Sequence, residues 1–259
     1  MTNKGVGFVG LGQMGRGMAR NLSKDVSSFY VYDKLEGARK SLCDTDAILT
    51  DSLAYLSKNC DLIFLCLPSA KDVDEVIFGR CGILKNCRSN LSIIDNSTID
   101  RTEAVRFNRV LAKQKVKYAD CPISGLPSRA ADGTLTLMFG GERELFDEVE
   151  SILGFMGEFI VYCGPTGSGQ LMKAVNNIIY DINIVALCEI LPLAVAGGLS
   201  VDAVERVVTT ASARSFAADH FIPRILKRQF KNDFAMADAY KDILNMQGLA
   251  VEKKAMTPL

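Results

Sequence analysis

The sequence predicts a doubly wound α/β domain over residues 1–163, followed by an all-helical domain over residues 164–259. Three observations carry this. Short apolar, strand-like runs alternate with helix-spaced segments from Val6 to Leu111. Gly164-Pro165-Thr166-Gly167-Ser168-Gly169 is the clearest linker in the chain. Beyond it every apolar pattern has helical spacing. At 259 residues the chain is long enough for two domains of this kind.

Val6-Gly7-Phe8-Val9 reads as a short buried strand, and Gly10-Leu11-Gly12-Gln13-Met14-Gly15 follows at once. Helical spacing continues from Arg16 to Leu22. This is the Gly-x-Gly-x-x-Gly turn in its required setting, strand before and helix after. Gly10 permits the tight turn, Gly12 lets backbone approach a pyrophosphate, and Gly15 lets helix pack close to strand. The diphosphate would rest on the helix's first amides. The competing reading is a glycine-rich turn that binds nothing. Ser28 to Tyr32 reads as the second strand, ending at Asp33. A carboxylate there can accept bonds from the adenosine ribose hydroxyls and would repel a 2′-phosphate. NAD is therefore favoured, while Lys34, Arg39 and Lys40 leave NADP open. Asp33 could equally serve a turn or a helix N-cap.

Asp61 to Pro68 is nearly continuously apolar and reads as a parallel strand buried on both faces. Pro68 ends it at the edge where doubly wound sheets bind ligands. Leu91 to Asp95 is a further strand running into Asn96-Ser97-Thr98, where Thr98 could meet cofactor or cap the helix from Arg101 to Lys113. Then the pattern changes. Val116 to Asp120 is a strand candidate, Cys121 to Pro127 is rich in turn residues, and Ala131-Asp132-Gly133-Thr134 is a turn before the strand Leu135 to Phe139. Glu142 to Leu153 is an amphipathic helix, and Phe159 to Tyr162 the last strand. Ser124 has no histidine nearby and so is no nucleophile; with Gly125 it could cradle a carboxylate, or be an ordinary turn.

Past the linker, the apolar run from Leu171 to Ile190 carries one lysine, Lys173. Burying an unpaired ammonium is costly, so the lysine needs a reason. Asn177 lies four residues on and shares its helix face. One cation and one amide so placed could hold a small oxygen-rich substrate. The alternative is a lysine that snorkels to water along its own stem. Pro192 and Gly197-Gly198 are expected to bend or end this helix, with further helices over Val201–Thr210, Phe221–Phe230 and Phe234–Met246.

Composition excludes several classes. Lys+Arg and Asp+Glu are both 30, so no broad electrostatic footprint for nucleic acid or an anionic membrane is expected. The run from Ile178 to Leu199 is interrupted by Asp181, Asn183, Glu189 and Pro192, so no transmembrane span is expected. The eight cysteines form no CxxC pair and His220 is the only histidine, which argues against a metal site. Thiols scattered through apolar runs fit a reducing compartment. With a strand by Val6, no signal peptide is expected; the cytoplasm fits, as does a mitochondrial matrix protein without its transit peptide.

Four blocks in order resemble the β-hydroxyacid dehydrogenase family. They are Gly7 to Gly15 with Met18-Ala19-Arg20-Asn21-Leu22; Asp120 to Gly125 running on to Gly133-Thr134-Leu135-Thr136 and Gly140-Gly141; Gly164 to Gly169 with Lys173 and Asn176-Asn177; and Lys241-Asp242. The resemblance implies a Rossmann domain and a helical domain of the 6-phosphogluconate dehydrogenase kind. It implies Lys173 as catalytic lysine, Ser124 and Gly125 as the substrate-carboxylate loop, and Asn177 as the substrate-orienting amide. Leu67, Pro68, Asp72, Thr98 and Lys241 fall where the family meets its nicotinamide cofactor, beside Gly10, Leu11, Gly12, Met14, Gly15 and Asp33. The partner it implies is a small carboxylate, and the assembly a homodimer or homotetramer. Two departures stand out: Leu126 replaces a frequent second glycine, and the family usually continues past Leu259 through a further helix.

The implied reaction is reversible oxidation of a small 3-hydroxyacid to its semialdehyde by NAD, with Lys173 exchanging the hydroxyl proton. An apolar helix would lower that lysine's pKa, which suits the role. Lys173 disfavours an imine reductase, and the lack of a basic cluster near the linker disfavours a phosphorylated substrate. The reading from a different class is a catalytically impaired dinucleotide-binding scaffold, supported by Leu126 and the short C-terminus.

Overall fold

A computed structural model describes residues 5–229 together with Tyr240, Ile243, Leu244, Gln247, Val251 and Lys254. It divides into two compact units, residues 1–173 and 174–259.

In the first unit, strands β1 (Val6–Val9), β2 (Phe29–Tyr32), β3 (Ile48–Thr50), β4 (Leu62–Leu65), β5 (Ser92–Asp95) and β6 (Lys117–Asp120) are all parallel, in the order β3-β2-β1-β4-β5-β6. The order reverses between β1 and β4, the switch point at which doubly wound sheets bind ligands. Residues alternate between the two faces. Along β4, Leu62 and Phe64 join one core cluster and Ile63 and Leu65 the other. A strand buried on both sides has no room for polar alternation, which is why it reads as one apolar run. Helices α1 (Gln13–Leu22) and α7 (Arg143–Leu153) bury Met18, Leu22, Phe146 and Val149 on the Phe8 side. Helices α3 (Leu53–Asn59), α4 (Ala70–Phe78) and α5 (Arg101–Ala112) bury Leu56, Val73, Ile77 and Phe107 on the other. Ser52, Ser69 and Asp100 cap these three, each accepting from a backbone amide of the first turn.

After β6 the sheet turns antiparallel. Strand β8 (Leu135–Gly140) pairs with β6 at Asp120 and Gly140, takes the short β7 (Ile123–Ser124) antiparallel, and is followed in parallel by β9 (Gly157–Gly164). A short helix, α6 (Pro127–Asp132), takes the first two residues of the expected turn and ends on Gly133 at φ +73. It packs on α1, where Gly17 lets the two backbones meet and Asn21 Nδ2 donates to the carbonyls of Ala130 and Ala131 at 3.0 and 3.1 Å.

Helix α8 (Ser168–Ala196) starts in the first unit and continues into the second. Pro192 does not end it; Gly197 and Gly198 do, with Gly198 at φ +92. The polar interruptions do not break it either. Its 29 residues are long and apolar enough by length and composition to cross a membrane, which corrects the expectation that no stretch qualifies. In the second unit follow α9 (Val201–Val208) and α10 (Phe216–Leu226). The last begins five residues before the expected Phe221, because Ser215 caps it and Pro223 is held within it. Most of the expected helix Phe234–Met246, with Lys241 and Asp242, lies outside the described residues.

Candidate active site

The glycine turn lies at the end of β1. A Cβ on Gly10 would collide with the Cys66 carbonyl, and one on Gly15 with the Gly10 carbonyl, so the fold itself demands both glycines. Gly10 also sits at φ +98. Gly12 is different. Its φ is −65, and a Cβ there would meet nothing within 4 Å. No neighbour in the chain requires glycine at this position, whereas a closely approaching ligand does. Gly12 is the N-cap of α1, it offers no side-chain cap, and the first turn holds no acidic residue. The amides there are left to an anion, as a dinucleotide's diphosphate requires. Met14 is half-buried beside them, while the Leu11 side chain belongs to the core.

Asp33 follows β2 as expected. Its Oδ2 accepts from the Leu11 amide at 2.7 Å and its Oδ1 from the Leu35 amide at 2.8 Å, while Arg39 donates to its carbonyl at 2.6 Å. The carboxylate thus ties the glycine turn to the end of the second strand. Lys34 pairs with Asp72 at 3.6 Å, and Ser69 donates to Asp72 at 2.6 Å, so Asp72 closes the first turn of α4. Leu67, ahead of the exposed Pro68, donates its amide to Ser97 Oγ at 2.9 Å, bridging the ends of β4 and β5. Thr98 does not cap α5, because Asp100 does. Gly10, Asp33, Leu67 and Thr98 therefore share the carboxyl edge of one parallel sheet.

Ser124 ends β7 opposite Thr136, and Gly125 takes φ +140, a conformation that strains any side chain. Leu126 is the N-cap of α6, with Pro127 at its first position. Lys173 is half-exposed in the second turn of α8, and Asn177 is buried one turn on, bonded by Asn176 at 3.0 Å.

Three polar residues matter that the sequence reading did not single out. Asp95 and Asp120 are fully buried neighbours in register at the ends of β5 and β6. Gln170 is 4% exposed on the first turn of α8. The signal was there: two adjacent apolar strands each end in a carboxylate. Burial raises Asp95 to about 6 against the pull of the Ser97 amide and the Tyr118 hydroxyl. Burial also raises Asp120 to about 6, opposed by the Gly167 and Gln170 amides. Between about pH 4 and about pH 6 the folded chain keeps protons that the unfolded chain has released, so stability falls as pH rises through that window. Asp95→Asn is expected to flatten this fall by on the order of 1–3 kcal/mol, compared by urea unfolding at about pH 4 and about pH 8. A slope equal to the wild type's would contradict it. Burial pushes the thiols of Cys60 and Cys66 up to about 12, so neither is a thiolate near neutrality.

Residues 5–164 match the family model for the NAD binding domain of 6-phosphogluconate dehydrogenase, and residues 167–259 that for the NAD-binding of NADP-dependent 3-hydroxyisobutyrate dehydrogenase. The 2-(hydroxymethyl)glutarate dehydrogenase of Eubacterium barkeri is 32% identical over 98% of this chain and 84% of its own. The chain belongs to the β-hydroxyacid dehydrogenase family. A probable mitochondrial 3-hydroxyisobutyrate dehydrogenase of Dictyostelium discoideum is 33% identical over 97% of this chain and 79% of its own. The 3-hydroxyisobutyrate dehydrogenase of Mycobacterium tuberculosis, solved with L-serine, superposes with a TM-score of 0.88 at 26% identity, covering 99% of this chain and 90% of that one. The fold is thus that of the family, and the cofactor is NAD, with NADP also open to it. The second match contains the whole of α8.

Proposed function

We propose that the chain reversibly oxidises a small 3-hydroxyacid to its semialdehyde with NAD, and that Lys173 is the general acid and base. One observation supports this above the others. The helix that carries Lys173 is tied to the cofactor edge of the sheet by Gln170, whose amide bonds both neighbours of Thr98: Nε2 to the Ser97 carbonyl at 2.8 Å and Oε1 from the Ile99 amide at 3.2 Å. This anchor supports the reading in which the Lys173 ammonium, one turn further on, acts at the sheet edge.

Nicotinamide, when bound, supplies the hydride chemistry. The Gly12 turn and the α1 amides hold the diphosphate, and Asp33 takes the adenosine ribose. The Ser124 hydroxyl and the Gly125 amide bind the substrate carboxylate. Neutral Lys173 accepts the proton of the substrate hydroxyl during oxidation; charged, it returns that proton to the aldehyde oxygen and stabilises the charge building there. Asn177, on the same helix face by spacing, orients that oxygen.

Asp33 sets the cofactor preference in this reading. A carboxylate beside a 2′-phosphate adds a like-charge cost of about 1–4 kcal/mol. Asp33→Asn is expected to cut the preference for NAD over NADP in kcat/KM by about tenfold or more. An unchanged ratio would place the selectivity elsewhere. Assembly as a homodimer or homotetramer belongs to the same proposal. On α8, Val175, Ile179, Ile182, Ile190 and Leu193 leave a long apolar stripe exposed on the single chain. Light scattering that finds a monomer would contradict it.

A further inference from the structure

Asp120 is an uncommon way to start a helix. It is fully buried at the end of β6, and among the described residues no lysine or arginine pairs with it. Its counter-charge is the N-terminus of α8. Oδ1 accepts from the Gly167 amide at 2.5 Å and Oδ2 from the Gln170 amide at 2.7 Å. The backbone is shaped around this contact. A Cβ on Gly169 would collide with the Met138 carbonyl and stand 2.8 Å from Asp120 Oδ2, and a Cβ on Gly140 would stand 2.6 Å from the Gly169 amide. Gly167, at φ +91, turns its amide inward from a conformation that side chains resist.

A buried carboxylate costs more than a serine or threonine cap, which would satisfy one amide without a charge. The neighbouring Asp95 raises the cost, and Tyr118, Cys121 and Cys163, which also lie close, supply no cation to offset it. What the carboxylate adds is a second oxygen. Two oxygens on two amides fix both the position and the direction of the first turn, which one hydroxyl cannot do. Gln170 adds a third and a fourth bond on the Ser97 and Ile99 backbone, from the same turn. Lys173 follows Gln170 by three residues, about 4.5 Å along the axis.

We propose that Asp120 and Gln170 are positioning residues for Lys173: together they seat the first turn of α8 on the carboxyl edge of the sheet and so fix where the lysine's amine stands relative to the Thr98 backbone. The proposal rests on the catalytic reading of Lys173. A displacement of about 1 Å in a reacting group can cost about 10²-fold in rate, so loosening this seat acts on kcat rather than on binding of the cofactor.

The test is a double-mutant cycle on the full chain, with Gln170→Met and Asp120→Ser each made in the wild type and in Lys173→Ala. Each substitution is expected to lower kcat by about 10- to 100-fold in the wild type and by less than about threefold in Lys173→Ala, with the NADH dissociation constant held. Equal losses in both backgrounds, or no loss in either, would overturn the proposal. A Lys173→Ala enzyme as fast as wild type would instead overturn the reading of the lysine, and the proposal with it. Gln170→Met replaces an uncharged residue and keeps the cycle available should Asp120→Ser fail to fold. A second readout needs no turnover. After reductive ¹³C-methylation, the Lys173 resonance, identified as the signal missing in Lys173→Ala, is expected to shift in Gln170→Met. A resonance unmoved in position and in titration would overturn the seat.

Discussion

Lys173→Ala is expected to lower kcat for a 3-hydroxyacid by about 10²- to 10⁴-fold, the range over which a positioned acid–base group acts, and to leave NADH affinity near that of the wild type. The two halves of this expectation separate chemistry from architecture. The groups that would hold the dinucleotide, from Gly10 to Asp33, are built on β1, α1 and β2, and their internal bonds run between Leu11 and Asp33. None involves the lysine's turn of α8. If NADH binding collapsed together with turnover, Lys173 would be a structural residue and the proton would need another carrier. Lys173→Arg sharpens the point. It keeps the charge but cannot give up a proton near neutrality, so it is expected to be nearly as slow as alanine in the oxidation direction. A pH–rate profile that this substitution leaves unchanged would remove the lysine from the mechanism.

The second large effect is a contrast between glycines of one turn. Gly12→Val is expected to abolish measurable NAD binding while the unfolding free energy falls by only about 1 kcal/mol, the cost of a poorer N-cap on α1. The space beside Gly12 is empty in the chain, and in the proposed reading the diphosphate takes it. Gly15→Ala is expected to do the reverse in order of cause. Its methyl group would collide with the Gly10 carbonyl, so stability falls first, by several kcal/mol, and binding is lost with the fold. Urea unfolding and NADH fluorescence on both variants check this. A Gly12→Val protein that binds NAD like wild type would move the diphosphate away from this turn.

The glycine turn was legible in the sequence because a short buried run, Val6 to Val9, precedes it and a helical spacing of about 3.6 follows it in α1. The strands of the parallel sheet were legible for the same reason, since burial on both faces leaves continuous apolar runs such as Leu62 to Leu65. Other elements were hidden by their length. Helix α6 has six residues and strand β7 two, too few for a period to show, and both are held by partners far along the chain, α1 and β8. Pro192 reads as a residue that bends or ends its helix, yet it lies within α8, so tertiary context outweighs the local signal there. The turn at the sheet edge and the carboxylate bonded to it were legible at Gly10, Gly12 and Asp33, where a motif has a fixed spacing. Asp120 and Gln170 were not, because their partnership spans fifty residues and depends on β6 ending beside the start of α8. No spacing rule reaches that far; only the two glycines that make room, Gly140 and Gly169, hint at it.

In the proposed function this chain oxidises small hydroxyacids through a carboxylate-anchored site. The most direct measurement is NADH formation by the purified chain over a panel of 3-hydroxyacids, each beside the neutral alcohol that lacks its carboxylate. Turnover of at least one acid with NAD is expected, with kcat/KM for its neutral counterpart lower by about 10²-fold or more, as one lost charge-assisted anchor of about 3 kcal/mol implies. Equal turnover of acid and neutral alcohol, or NADH binding with no turnover of any acid, would contradict it.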